Sequence, residues 1–197
     1  MKRMLATALT ISMLCVIGGA ANSQVQADEA EFSLISYLET HEVSSYEEFI
    51  DVIQSVSPES VDEDIDFENI SSFDIEIDYV NNVVSVLTIE EVSNDRSHGV
   101  TDSASKSYYN DIGFKIFTIK VQGTFSYITG SCTTISASGS FNRATLSTWT
   151  STPTISSGNI TTRKAYARIS GTATSGSSSL SYSLTLTCDD SGNTSSY

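Results

Sequence analysis

Hydrophobic and polar residues alternate most regularly between residues 115 and 127. Lys115, Phe117, Ile119, Val121, Gly123, Phe125 and Tyr127 share one face, and Ile116, Thr118, Lys120, Gln122, Thr124 and Ser126 share the other. This period of two predicts a half-buried strand. Upstream the period changes. Phe32, Ile35 and Leu38 have the spacing of a short amphipathic helix. Tyr46, Phe49, Ile50 and Ile53 fall on one face of a second helix. Ser45 followed by Glu48 reads as a capping box, and Pro58 ends that helix. Phe73, Ile75, Ile77 and Tyr79 then alternate with Asp74, Glu76 and Asp78. Asn81-Asn82 is a turn pair, and 83–90 reads as the return strand of a hairpin.

Behind residue 127, Thr129-Gly130 predicts a turn. Residues 131–142 read as a weaker strand with Ile135, Ala137, Gly139 and Phe141 on one face. A short strand at 146–151 carries Trp149, the single tryptophan. Pro153 and residues 156–159 mark a loop, 160–172 is extended, and 175–179 turns. Leu180, Tyr182, Leu184, Leu186 and Cys188 then alternate with serines and threonines. The expected fold is an α+β segment of two short helices and a hairpin (28–92), a polar linker (93–105) and an all-β antiparallel sandwich (106–190). A C-terminal tail (191–197) follows. In so small a β domain Trp149 is expected to be at least partly buried.

Charge sharpens this division. Residues 28–95 hold 20 of the 24 acidic residues and none of the 10 Lys and Arg. With Lys2 and Arg3 set aside, four acids and eight bases remain for 96–197. Opposite charge of this size predicts attraction between the halves. Asp74, Glu76 and Asp78 are expected to face Lys115, Lys120, Arg163, Lys164 or Arg168. Arg96, in the polar linker, is an accessible point for nicking.

Lys2 and Arg3 precede an apolar run over 4–21, and Val25-Gln26-Ala27 ends on a small residue. Residues 1–27 therefore read as a cleaved signal peptide and the protein as secreted and extracellular. A lipoprotein reading would need an aliphatic residue where Ser12 precedes Cys15. Loss of Cys15 with the signal leaves Cys132 and Cys188, which an oxidising compartment is expected to join as the single disulfide. The alternative is two free thiols.

Candidate chemistry is sparse. Asp62, Glu63, Asp64 and Asp66 crowd together, yet the spaced ligands, Gly and closing Glu of a calcium loop are missing, so a solvated acidic face is preferred. His41 and His98 lie far apart. No HExxH, Gly-rich phosphate loop or GxSxG occurs. Arg163, Lys164 and Arg168 are too few for a nucleic-acid stripe. The expectation is no enzyme, no catalytic residue, no metal, no cofactor, no nucleic acid, and an extracellular or cell-surface partner.

Two resemblances add to this. The run Tyr108-Tyr109-Asn110-Asp111-Ile112-Gly113-Phe114-Lys115-Ile116-Phe117 resembles a segment of secreted Gram-positive bacterial proteins without assigned function, and it implies no catalytic residue. The order Cys132, Trp149, Cys188 resembles that of immunoglobulin-like domains, where a buried Trp packs on an inter-sheet disulfide. Leu186 stands where the tyrosine corner would place Tyr. The function expected is a secreted, non-enzymatic binding or surface-interaction module. The alternative is a proprotein whose acidic segment restrains a basic β-domain effector, for instance an antibacterial one.

Overall fold

The computed structural model describes residues 32–61, 67–93 and 99–197. The expected signal peptide, the acidic cluster at 62–66, Arg96 and His98 lie outside the described residues. Two short helices, α1 (Leu34–Thr40) and α2 (Tyr46–Val56), precede nine strands. A five-stranded antiparallel sheet holds β1 (Ile70–Asp78), β2 (Val83–Ser93), β3 (Gly99–Asn110), β4 (Lys115–Ile128) and β5 (Ser131–Arg143), in that order. A four-stranded sheet holds β6 (Thr154–Thr161), β7 (Lys164–Ser175), β8 (Ser178–Asp189) and β9 (Thr194–Ser196), also in order.

The two sheets share one core. Phe117, Ile119, Val121 and Phe125 of β4 meet Ala165, Ala167 and Ile169 of β7 and Leu184 and Leu186 of β8, all fully buried. Gly123 completes the β4 face because the Phe125 ring lies where its Cβ would be, at 2.5 Å. The opposite face of β1–β3 carries the helices. Leu34, Phe49 and Ile53 pack on Val84, Val86 and Tyr109, with Phe73, Ile75 and Ile77 alongside. Ser45 Oγ accepts from the Glu48 amide and so caps α2, while the Glu48 carboxylate accepts from the Ser44 amide and hydroxyl. The capping box is therefore closed one residue early. Asn82, at φ 51°, makes the β1–β2 turn.

The YYNDIGFKIF segment is a structural joint. Tyr109 is fully buried, edge-on to Phe49 with ring centroids 5.3 Å apart. Asp111 Oδ1 accepts from the Ser33 hydroxyl and the Ile35 amide, so it anchors the first turn of α1. Asn110 Oδ1 accepts from the Phe114 amide. Gly113, at φ 80°, lets Val56 approach to 2.8 Å from where a Cβ would stand. Such a backbone conformation at so close a contact favours glycine.

Several expectations need correction. Residues 99–105, expected in the linker, form the first half of β3, and β2 and β3 are paired from Val83 with Asn110 to Ser93 with Thr101. The hairpin and the β domain are therefore one continuous sheet. Residues 154–175 form a hairpin where one extended segment and a loop were expected, and 194–196 of the tail form β9. Residues 146–151 make no named strand, only an isolated bridge from Thr150 to Thr174. Last, each sheet runs in sequence order, unlike the Greek-key connections of immunoglobulin domains.

Trp149 is partly buried, 6.1 Å from the Phe117 ring. Phe117 and Tyr127, the partner of Cys132, stand at opposite ends of β4. The immunoglobulin arrangement of Trp on the cysteine pair is thus absent. The expected facing of charges also changes. Glu76 pairs with Lys106 at 2.6 Å and Glu90 with Lys120 at 2.7 Å. Lys115 is buried at the start of β4, Arg163 meets Asp190, and Arg168 donates to Thr185 Oγ1.

Candidate functional site

A hydrogen-bonded surface lies at the end of the sandwich where the β4–β5, β6–β7 and β8–β9 turns meet. It starts from Asp189-Asp190-Ser191-Gly192-Asn193, a run rich in residues that hydrogen-bond their own backbone. Asp189 Oδ1 accepts from the amides of Ser191 and Asn193, both at 2.9 Å, and Oδ2 accepts from Asn193 Nδ2. Burial is the largest single influence on this carboxyl and opposes its ionisation. The hydrogen bonds from Asn193 and Ser191, with the Lys164 charge, outweigh it and hold Asp189 below the usual carboxylate range.

Asp190 then ties the turns together. Its Oδ2 accepts from the Gly130 amide at 3.0 Å and lies 3.6 Å from Arg163 Nε. The Cys132 amide donates to the Thr162 carbonyl at 3.0 Å, joining the β4–β5 and β6–β7 turns a second time. Around this cluster Ile128 is 58 % exposed and Ile160 48 % exposed, and the Arg163 side chain is 72 % exposed.

On the other side of the β8–β9 turn is a cleft of about 340 Å³. Its walls include Ser71, Glu91, Asp102, Tyr127, Asn193 and Thr194. The Tyr127 ring lies so close to Gly192, at φ 83°, that a Cβ there would fall 2.4 Å from it. Asp102 is buried and accepts from the Thr194 hydroxyl, so β9 is pinned to β3. Among the described residues the lining carries two carboxylates and no base.

The expected disulfide is not formed. Cys132 and Cys188 are free thiols, both fully buried, 3.7 Å apart. Desolvation raises the pKa of both, so each is held as the protonated thiol. β5 and β8 belong to different sheets, so the two residues meet across the shared core.

His41 stacks on Tyr37, with ring centroids 4.2 Å apart, and closes the end of α1. No group of three His, Cys, Asp or Glu that could hold a metal occurs among the described residues. Nor is any helix there long and apolar enough to cross a membrane. Asp190, Gly192 and Asp102 were not singled out by the sequence reading. The Asp-Asp-Ser-Gly-Asn run was the available signal for the first two. No family model, curated protein or solved structure matches this chain.

Proposed function

We propose that the chain is a secreted, non-enzymatic protein that acts as a binding or surface-interaction module. In this reading an immunoglobulin-like sandwich, in architecture though not in strand order, presents the turn end to an extracellular or cell-surface partner. The supporting observation is the Asp190 cluster, which joins three turns beside exposed Ile128, Ile160 and Arg163. Turns already fixed by hydrogen bonds lose little freedom on binding. An arginine beside apolar side chains is the composition of an interface centre. If the resemblance of residues 108–117 to secreted Gram-positive proteins holds, the bacterial envelope is the partner to try first.

The proprotein reading draws on the acidic front and the two ion pairs that join it to Lys106 and Lys120. It is the weaker reading, because β2 is an interior strand. Release of the front would uncover Tyr109 of β3, which packs against Phe49.

The test uses the fluorescently labelled chain from Asp28 onward on Gram-positive envelopes. Saturable binding is expected, weakened about tenfold or more by Ile128→Asp with Arg163→Glu, a loss of about 1.4 kcal/mol. Absence of saturable binding, or binding indifferent to both substitutions, would refute the reading.

A further inference from the structure

We infer that Cys132 and Cys188 are a sealed dithiol, oxidised only while the two sheets are apart, and that the closed sandwich preserves whichever redox state it folded with. This does not depend on the binding role proposed above. Both residues are fully buried, one on β5 and one on β8, and they lie 3.7 Å apart. Cys132 is opposite Tyr127 in its own sheet, and Cys188 is opposite fully buried Ala165 in the other. The site is therefore interior to the core that joins the sheets.

The reaction that would join them needs an external disulfide of the glutathione type. One cysteine thiolate attacks it, expels one glutathione thiol and forms a mixed disulfide. The second cysteine thiolate then attacks the protein sulfur and expels the second glutathione thiol. The two cysteines lose two protons and two electrons, and the oxidant becomes two thiols. Neither step fits the closed state. Attack requires a thiolate, and burial holds both sulfurs protonated. The mixed disulfide would place a tripeptide between packed side chains that leave no room for it. Once the sheets open, both obstacles vanish, and reclosing brings the sulfurs within a short shift of the bond length of about 2.05 Å.

The test follows thiol loss in the reduced, folded chain exposed to oxidised glutathione, quenched and counted by thiol labelling after denaturation. In native buffer the reaction should run at least about a hundredfold slower than in the urea-unfolded chain, because access is limited to the opened population. Across the urea transition the rate should rise in step with the unfolded fraction. Refolding in oxidised glutathione should yield the intramolecular disulfide with native near-ultraviolet circular dichroism. Native-state oxidation within about tenfold of the unfolded rate would overturn the inference, because it would mean that the closed sheets offer no protection. Refolding that leaves stable mixed disulfides on both cysteines would overturn it equally.

Discussion

A chain cut once between β2 and β3 should stay assembled, and it should do so in high salt. The cut is made by a specific protease at a recognition sequence inserted between residues 93 and 99. What holds the pieces is set by the sheet. β2 and β3 are paired from Val83 with Asn110 onward, and each backbone hydrogen bond contributes about 0.5–1.5 kcal/mol net. Val83 and Ile89 are buried in the sandwich core, and Tyr109 is buried under Phe49. Burying each aliphatic side chain contributes about 1.5–3 kcal/mol. Against this, Glu76–Lys106 and Glu90–Lys120 are partly exposed pairs, each contributing about 1 kcal/mol or less.

Salt acts on the smaller contribution. Even full screening of both pairs at about 1 M salt, where the Debye length is about 3 Å, removes about 2 kcal/mol. That weakens association by about thirtyfold at most. The assay is size-exclusion chromatography of the cut protein at low and high salt, with circular dichroism on each fraction. Co-elution in both conditions is expected. Folded fragments that separate in high salt would refute the argument, because they would show that charge and not the shared sheet holds the front in place.

Three further outcomes follow from particular contacts. Phe117→Ala should cost about 3–5 kcal/mol in urea unfolding, and it should alter Trp149 fluorescence, since Phe117 is fully buried and its ring is 6.1 Å from Trp149. Gly123→Val should lower the melting temperature by overpacking worth about 1–3 kcal/mol, because even a Cβ meets the Phe125 ring at 2.5 Å and Ala167 at 3.1 Å. Asp189 has a folded pKa below its unfolded value, so its stabilisation is present above the unfolded carboxyl pKa and lost as pH falls through the lower folded one. Amide exchange at Ser191 and Asn193, measured at rising acidity and corrected for intrinsic rates, should lose protection in that window, and Asp189→Asn should move the transition.

Elements whose buried positions are mostly apolar and evenly spaced are readable from the sequence. β4 alternates without a break, and its burial follows that alternation from Phe117 to Phe125. α2 buries Phe49, Ile50 and Ile53, as its spacing requires. β3 was not readable, because several of its buried positions carry polar residues: Asp102, Ser103 and Ser107 lie inside beside Val100, Ala104 and Tyr108. Periodicity measures hydrophobicity, and a strand inside a sheet can satisfy polar side chains locally. Ser103 donates to Glu90, and Ser107 shares a hydrogen bond with Thr118. The β6–β7 hairpin escaped for another reason. Its link, Thr162-Arg163, contains no Gly, Pro or Asn to signal a turn. In β5 a bulge sets Ile135 between Thr134, opposite Phe125, and Ser136, opposite Thr124. One extra residue sends Ile135 outward, to 66 % exposure, although it alternates in sequence with Ala137 and Phe141.

The same reasoning explains why the charge division misplaced the domain boundary. Acids accumulate where water reaches them, on the outer faces of the helices and on β1, which is an edge strand. Asp74 and Glu76 are exposed on that edge, where charge discourages pairing with another chain. The interior strands β3 and β4 tolerate Lys106 and Lys120 because Glu76 and Glu90 reach them across the sheet. An abrupt change in charge between residues 91 and 106 therefore marks the passage from the edge of one sheet to its middle. The turn cluster obeys a related rule. Asp190 carries a charge within a basic half because Gly130 and Arg163 converge on it, and such convergence is created by the fold, so no local reading of the Asp-Asp-Ser-Gly-Asn run could have identified its partners.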